Sequence, residues 1–573
     1  MPNINYGKAF TAGFLVGLIM GLVDTYGYAT TGYTTAELSI ITTPLLIKLI
    51  LGRSGNIREV IVGTVVAYGL SYATIITSGM LVTFAYTKMI YEKYFYGTDF
   101  PSWLYSEKCF LNVLCPYIPT YIFIGLLSLP GISLAYIYRH LLLDKLQLPY
   151  PFAITSFITS GVVSNLKSYK EIYLLIISGL ISQFIIFYLG EPSIDLTEKL
   201  NTVLKGSVMS LSISFIMLYL SIVLPARTSF SIGFSSLLTS LFILPLGAYV
   251  SLYNLGRIYT IDEILYRASW YIASIVFGSV LLLGTLFIYR VRGSLVIIWR
   301  ISREKRDLYL IALTYLGFVS LFLSTLIYGA SLDIIHIIAS LVWVLLLLPI
   351  LIILTTIAVG EAGIAGQSLY PFNTVYLYLL GFRGFTPYIF MDHYLGIPMP
   401  GSLSSASANI MKISRLSGTP LSRLLILFTF SFTLGLAITM FYGIVLLKVF
   451  GLESPQLSLL RWLPYVNWSI MVYKGLLDYT TIGGGLIIGA LYMATILLIS
   501  MISPIKISPI PFIIGMSLTP DYGILFIIGS FIRWYLSKFG VEVQEKLSIY
   551  SIALLVGSGL AIPIYIIYSL FTG

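Results

Sequence analysis

The chain has 573 residues, of which 58% are hydrophobic and only 10% charged, with a mean hydropathy of +0.95 and a net charge of +10. A soluble domain carries about 25% charged residues, and a single aqueous core could not cover so much apolar surface. These figures exclude a soluble globular protein and make the lipid bilayer the solvent for most of the chain. Nucleic acid is thereby set aside as the reason for the positive charge.

Windows of the length that crosses the hydrocarbon, about 20 apolar residues, recur along the whole chain. They lie near 9–29, 33–51, 58–86, 118–140, 170–189, 206–224, 229–252, 268–290, 308–328, 333–358, 372–392, 421–449, 482–500, 521–537 and 547–570. Shorter apolar pieces at 152–163, 400–411, 465–478 and 503–517 are candidates for re-entrant or broken helices. The expected fold class is an all-α polytopic membrane protein of about 14–16 transmembrane helices. The longest polar stretch, 91–117, leaves no room for a soluble domain, so no nucleotide-binding cassette is attached. The first apolar segment is too long for a signal peptide and is expected to be retained. Gly13, Gly17 and Gly21 line one face of it, as close helix packing requires.

Charge reports topology. The strongest basic loop is 290–306, with Arg290, Arg292, Arg300, Arg303, Lys305 and Arg306, and the positive-inside rule makes it cytoplasmic in a multi-pass protein of the cell membrane. Smaller basic loops sit at Arg53/Arg58, Arg139/Lys145 and Lys412/Arg415/Arg423. The two cysteines, Cys109 and Cys115, share one loop and are either a local disulfide or two small buried residues. Four-ligand zinc spacing is absent, and no metal or cofactor is expected. Scarce Gln, Cys and His with abundant Ile and Tyr hint at a thermophile.

Secondary transporters are often built from duplicated halves. Here Pro149-Tyr150-Pro151-Phe152-Ala153-Ile154 recurs as Pro509-Ile510-Pro511-Phe512-Ile513-Ile514. Each copy follows a span and precedes a short apolar piece and two further spans. The expected organisation is one integral membrane domain, 1–573, with an internal two-fold repeat: a first half 9–225, connecting helices 226–332, and a second half 333–573. Pro-x-Pro interrupts a helix, because amide donors are missing and the preceding residue leaves the α region. Pro149, Pro151, Pro509 and Pro511 therefore mark either broken helices facing a wet cavity or interfacial turns that merely start helices.

A second unusual segment is Ala358-Val359-Gly360-Glu361-Ala362-Gly363-Ile364-Ala365-Gly366-Gln367-Ser368-Leu369-Tyr370-Pro371, between two apolar runs. Its glycines permit unwinding. Glu361 is either an interfacial residue or a functional intramembrane carboxylate.

An apolar helix ending in Gly-Glu-x-Gly, then a Pro and another span, resembles a signature of the oligopeptide transporter (OPT) superfamily. Other blocks agree in order. The first helix running into Leu22-Val23-Asp24-Thr25-Tyr26-Gly27-Tyr28-Ala29-Thr30-Thr31-Gly32-Tyr33 is similar to the family's Asn-x-Tyr-x-Gly element, with Asp24 where Asn is usual. Asn56-Ile57-Arg58-Glu59-Val60 resembles an acidic block whose Gln is missing here. Leu148-Pro149-Tyr150-Pro151 resembles Leu-Pro-Phe-Pro, with Phe152-Ala153 replacing the acidic-Gly continuation. The stretch Ser405 to Gly418 with Lys412, and Pro509 to Gly515 followed by Arg533-Trp534-Tyr535, match in order as well. The chain is thus identified as resembling a divergent, archaeal-type OPT member over about residues 9–565.

What the resemblance implies is secondary active transport, not enzymatic activity. The cargo is a small peptide or, as in the yellow stripe-like branch, a metal chelate. Coupling is to protons by alternating access. The oligomeric state stays open, a homodimer being one of the alternatives. The departures fall in motifs tied to the site, so the substrate stays open.

A proton-coupled carrier needs a carboxylate that gains and loses a proton. Glu361 leads, for its glycine-rich setting (Gly360, Gly363) and family match. Asp24 is second, beside Tyr26 and Tyr28. Glu37 is either a third or a first-turn charge favoured by the helix dipole. Asp333, Asp392 and Asp478 read as interfacial. Tyr26, Tyr28 and Tyr370 adjoin the segments expected to unwind and offer a stacking surface and a hydroxyl. Of the three histidines, His140, His336 and His393, only His336 sits three residues after an acid, Asp333, on one helix face. The competing classes are an intramembrane enzyme acting on a lipid-linked substrate, whose paired Asp-x-x-Asp motif is not found, and a channel.

Overall fold

The computed structural model describes the chain apart from residues 1–3, 32–35, 53–54, 98, 108–115, 166–169, 190–192, 257–259, 302–313, 321, 324–332, 364–370, 393–399, 453–458, 503–505 and 573. Tyr370, Cys109, Cys115, His393, residues 302–306 of the basic loop and most of the apolar window 308–328 lie outside the described residues.

The first half opens with α1 (Tyr6–Thr31), α2 (Ser39–Leu51), α3 (Ile57–Thr74) and α4 (Met80–Phe95), followed by α5 (Tyr117–Leu127), α6 (Pro130–Ile137), α7 (Pro151–Asn165) and α8 (Lys170–Leu189). Then come α9 (Thr197–Asn201), α10 (Phe215–Val223), α11 (Ala226–Leu238), α12 (Leu244–Tyr249) and α13 (Ile261–Ile301). The remainder comprises α14 (Ile334–Val342), α15 (Leu348–Ala362), α16 (Pro371–Leu379), α17 (Phe385–Met391), α18 (Pro400–Ser417), α19 (Leu421–Phe450) and α20 (Leu459–Lys474). It closes with α21 (Tyr479–Ile502), α22 (Pro509–Met516), α23 (Pro520–Ser537) and α24 (Val541–Thr572). The one sheet among the described residues is a small antiparallel ribbon, β1 (Ser193–Asp195) on β2 (Ser210–Ser212), with Ile194 opposite Leu211.

The chain is an all-α polytopic membrane protein. Ten helices among the described residues are long and apolar enough to cross a membrane. The larger number expected from sequence counted segments that form shorter helices here, such as α2, α10, α16 and α17. The four pieces expected to be broken or re-entrant fall in α7, α18, α20 and α22.

Small residues set the packing. A Cβ at Gly13 would collide with the Gly63 carbonyl, and one at Gly17 would lie 3.0 Å from the Ala67 Cα, so α1 lies directly on α3. Gly435 brings α19 to within a similar distance of Leu70 on the same helix. Between α3 and α4 the helix widens into a π-helical turn, Ile75–Gly79. The start of α3 is closed by a capping box: Asn56 accepts from the Glu59 amide and the Glu59 carboxylate accepts from the Asn56 amide.

One end of the bundle collects the basic loops. Arg423 donates to the Tyr6 hydroxyl at 3.0 Å, Arg58 lies beside Gly418, and Arg415 pairs with Asp144 at 2.5 Å. His140, hydrogen-bonded at 2.9 Å, and then Arg415 hold the Asp144 carboxyl below its ordinary range. At the opposite end Lys474 donates to the Phe95 carbonyl and Arg383 to the Tyr479 hydroxyl, each at 3.3 Å. From that end α21 starts, and α13 runs parallel to it, with Ser274 against Gly485 and Ile275 against Gly489. The C-terminal part of α13, where the 290–306 loop begins, therefore points to the basic end.

The helices that follow the two Pro-x-Pro copies interlock. α8 packs on α24 through Gly179 and Gly557, while α10 packs on α23, where Ser221 donates to the Leu525 carbonyl at 3.1 Å. α10 also packs on α24.

Candidate functional site

Tyr68, Ser71 and Tyr72 share one face of α3 at i, i+3 and i+4, and this face meets two buried carboxylates. Asp24, 2% exposed on α1, accepts a hydrogen bond from Ser71 Oγ. Glu37, also 2% exposed, lies in a 3₁₀ turn (Ala36–Leu38) before α2 and accepts from the Tyr72 hydroxyl at 3.0 Å. The Tyr68 and Tyr72 rings stack edge-on at 4.9 Å, and Tyr68 feels both carboxylates. Tyr68 is 11 residues into α3, roughly 16 Å along it at 1.5 Å per residue.

Below this cluster, hydroxyl pairs join the helices. Thr25 meets Ser78 at 2.7 Å, Tyr28 meets Thr83 at 3.1 Å, and Thr77 meets Thr439 of α19 at 2.6 Å. The π-helical turn supplies Thr77 and Ser78; such turns recur at functional sites. A carboxylate in this setting is costly unless hydrogen-bonded or protonated. The arrangement can therefore take up a proton or hold a cationic group between α1, α2 and α3.

Tyr26 and Tyr28 lie in the last turns of α1, which is helical through Thr31, and residues 32–35 that follow lie outside the described residues. Tyr26 is an aromatic packing residue, 5.5 Å from the Phe187 ring and 5.8 Å from Phe450. Tyr28 is bound to α4 through Thr83.

The two unusual segments of the sequence meet each other at the basic end. The Tyr150 amide donates to the Gly360 carbonyl at 2.8 Å, and Lys412 donates to the Leu148 carbonyl at 3.3 Å. Gln147 and Tyr150, on either side of Leu148-Pro149, each have a φ of +48° in the turn into α7. Gly363 ends α15 with a φ of +83°, and a Cβ there would lie 2.7 Å from Phe152 Cδ1. Pro149–Pro151 is thus a strained loop that starts α7, and Pro509 and Pro511 open α22; both copies start helices. Gly363→Ala is expected to cost about 1–3 kcal/mol, the scale of a left-handed non-glycine residue that also clashes, read as a lower thermal midpoint in detergent.

Glu361, ranked first from sequence, is exposed on the last turn of α15. Asp392 departs from its interfacial expectation. It is fully buried, with Thr374 donating to it, because the short helices α16 and α17 fold together and enclose it. Asp333 is exposed, 3.6 Å from His336, and Asp478 accepts from Thr480 at 2.6 Å in an exposed position. Sequence reasoning missed Tyr68, Ser71 and Tyr72; their common helix face was the available signal. Among the described residues no three His, Cys, Asp or Glu side chains gather as metal ligands would. No protein-family model matches this chain, and no curated protein matches it.

Proposed function

We propose that this membrane protein is a secondary active transporter of small peptides or metal chelates, coupled to protons and working by alternating access. The observation that carries the reading is the pair Asp24 and Glu37, both buried and hydrogen-bonded to one face of α3. A protonatable pair enclosed by hydroxyls and tyrosines suits a group that exchanges its proton as it changes exposure.

Three further features support it. The ordered sequence blocks resemble those of the OPT superfamily. The contacts of α8 with α24 and of α10 with α23 are what an exchange of the two repeat halves requires, since it maps α8 onto α23 and α10 onto α24. The basic residues Arg58, Arg415 and Arg423 collect at one end, towards which α13 leads; on the positive-inside rule this end is cytoplasmic, in the cell membrane.

The test is uptake into proteoliposomes of a labelled dipeptide and of a metal–nicotianamine chelate under an imposed proton gradient. Accumulation that collapses on adding a protonophore is expected. Uptake insensitive to both protonophore and sodium removal would reject the coupling. Rapid uncoupled flux would favour a channel, and turnover of a lipid-linked substrate without uptake would favour an enzyme.

A further inference from the structure

The ribbon of β1 and β2 meets α23 at a buried carboxylate. Ser212 Oγ of β2 donates to Asp521 Oδ2 at 2.6 Å, and β2 packs on α23. Asp521 lies in the first turn of α23 and is only 6% exposed. Its other oxygen, Oδ1, is fully enclosed and has no hydrogen-bond partner among the described residues. Ser210 is in the same condition: it is 7% exposed, and its enclosed Oγ has no partner among the described residues. Side chains two apart on a strand share a face. Ser210 therefore stands on the side of β2 that Ser212 turns to Asp521, with the exposed Leu211 on the other.

The surroundings hold this arrangement in place. Ser236 of α11 donates to the Leu518 and Thr519 carbonyls, each at 3.0 Å, and so fixes the residues that lead into α23. Ser210 is paired across the ribbon with Asp195, whose carboxylate accepts from the Thr197 amide at 2.8 Å and the Ile261 amide at 3.2 Å. Asp195 is thus held by backbone and adds its charge to the local field. Because Ile261 starts α13, the ribbon sits at the end opposite the basic one. The helix dipole alone does not explain Asp521, since a first-turn acid serves the dipole from solvent. A buried carboxylate oxygen without a partner carries the full cost of its lost hydration, and an enclosed hydroxyl on the same face doubles the anomaly.

We infer that Asp521 Oδ1 and Ser210 Oγ bind a sodium ion, with Ser212 holding the carboxylate in place. The atoms on offer are all hard oxygens, which suit alkali and alkaline-earth ions rather than softer transition metals. One carboxylate balances one positive charge. Calcium takes about 6–8 oxygens and would leave an uncompensated charge in an enclosed place. Water can supply the remaining positions, because Ser212 is only half-buried. The ion links β2, from the first half of the chain, to α23, from the second. The inference does not rest on the transporter reading.

The test is thermal unfolding of the purified full-length chain in detergent, in sodium, potassium, choline or calcium chloride at one ionic strength, together with equilibrium binding of radiolabelled sodium. The midpoint is expected to rise with sodium alone, each ten-fold increase above the dissociation constant stabilising the folded state about ten-fold. Asp521→Asn should abolish saturable sodium binding and the sodium-dependent shift. Its midpoint in choline should hold or rise, because the amide oxygen still accepts from Ser212 and an enclosed charge is gone. Ser210→Ala should weaken sodium binding about ten-fold with an unchanged midpoint in choline, a split that a merely structural serine would not give. Equal midpoints in sodium, potassium and choline would overturn the inference, as would a sodium response that survives in Asp521→Asn. A shift with calcium in place of sodium, lost in Asp521→Asn, would overturn the choice of ion.

Discussion

Asp24→Asn and Glu37→Gln are each expected to abolish proton-driven accumulation while leaving the protein folded. Both substitutions keep shape and keep an oxygen that accepts from Ser71 or Tyr72. Both remove the site at which a proton binds. Loss of an essential proton-transfer group costs at least about 100-fold, so gradient-driven uptake should fall by that order. Exchange of labelled for unlabelled solute across the membrane needs no net proton movement and should survive. The thermal midpoint should hold or rise, because a buried ionisable group has been replaced by a neutral one. Full gradient-driven uptake in both variants would remove the pair from the coupling mechanism. Glu361→Gln provides the comparison at an exposed position; a loss there with normal uptake in the other two would return the coupling role to the glycine-rich segment.

Gly13→Leu should leave little folded protein. Its Cβ would occupy the space of the Gly63 carbonyl, and backbone cannot yield as a side chain can. Overpacking usually costs about 1–3 kcal/mol, occasionally more, and a backbone collision belongs at the top of that range or above. The same holds for Gly557→Leu, whose Cβ would meet the Ile176 carbonyl where α24 crosses α8. Gly483→Ala is the control. It sits in α21 with nothing within 4 Å of where a Cβ would stand, so alanine should be neutral or stabilise the helix by about 0.5–1 kcal/mol. Size-exclusion profiles and thermal unfolding in detergent distinguish these outcomes; a monodisperse Gly13→Leu protein with an unchanged midpoint would refute the packing argument.

The glycines illustrate how far sequence reasoning reaches. Gly13, Gly17 and Gly21 lie on one face by helical arithmetic alone, and a packing role follows in a membrane. The same arithmetic puts Gly485 and Gly489 on one face of α21 and Gly483 on another, but it does not say which of the two faces meets α13; the structure gives that contact to Gly485 and Gly489. Which face of a hydrophobic helix is buried is not written in its own composition, because lipid and protein interior are equally apolar.

The candidate site divides in the same way. Asp24 and Glu37 are legible as carboxylates near span ends, since charge is rare in such a chain. That both converge on Tyr68, Ser71 and Tyr72 depends on the close contact of α1 with α3 and on the turn before α2. Asp392 and Glu361 exchange character for a similar reason: hydropathy assigns depth from neighbours in sequence, whereas burial depends on which helices fold over the residue.

By itself the sequence determined the solvent of this protein, its helical class, the approximate spans and two interrupted segments. Hydropathy, charge and proline chemistry act locally, so a local reading recovers them. Only the tertiary structure decided that those two segments touch and that Asp24 and Glu37 share one face of α3. Those outcomes depend on close approach between helices far apart in sequence, made by small residues and completed by hydrogen bonds that have no local signature.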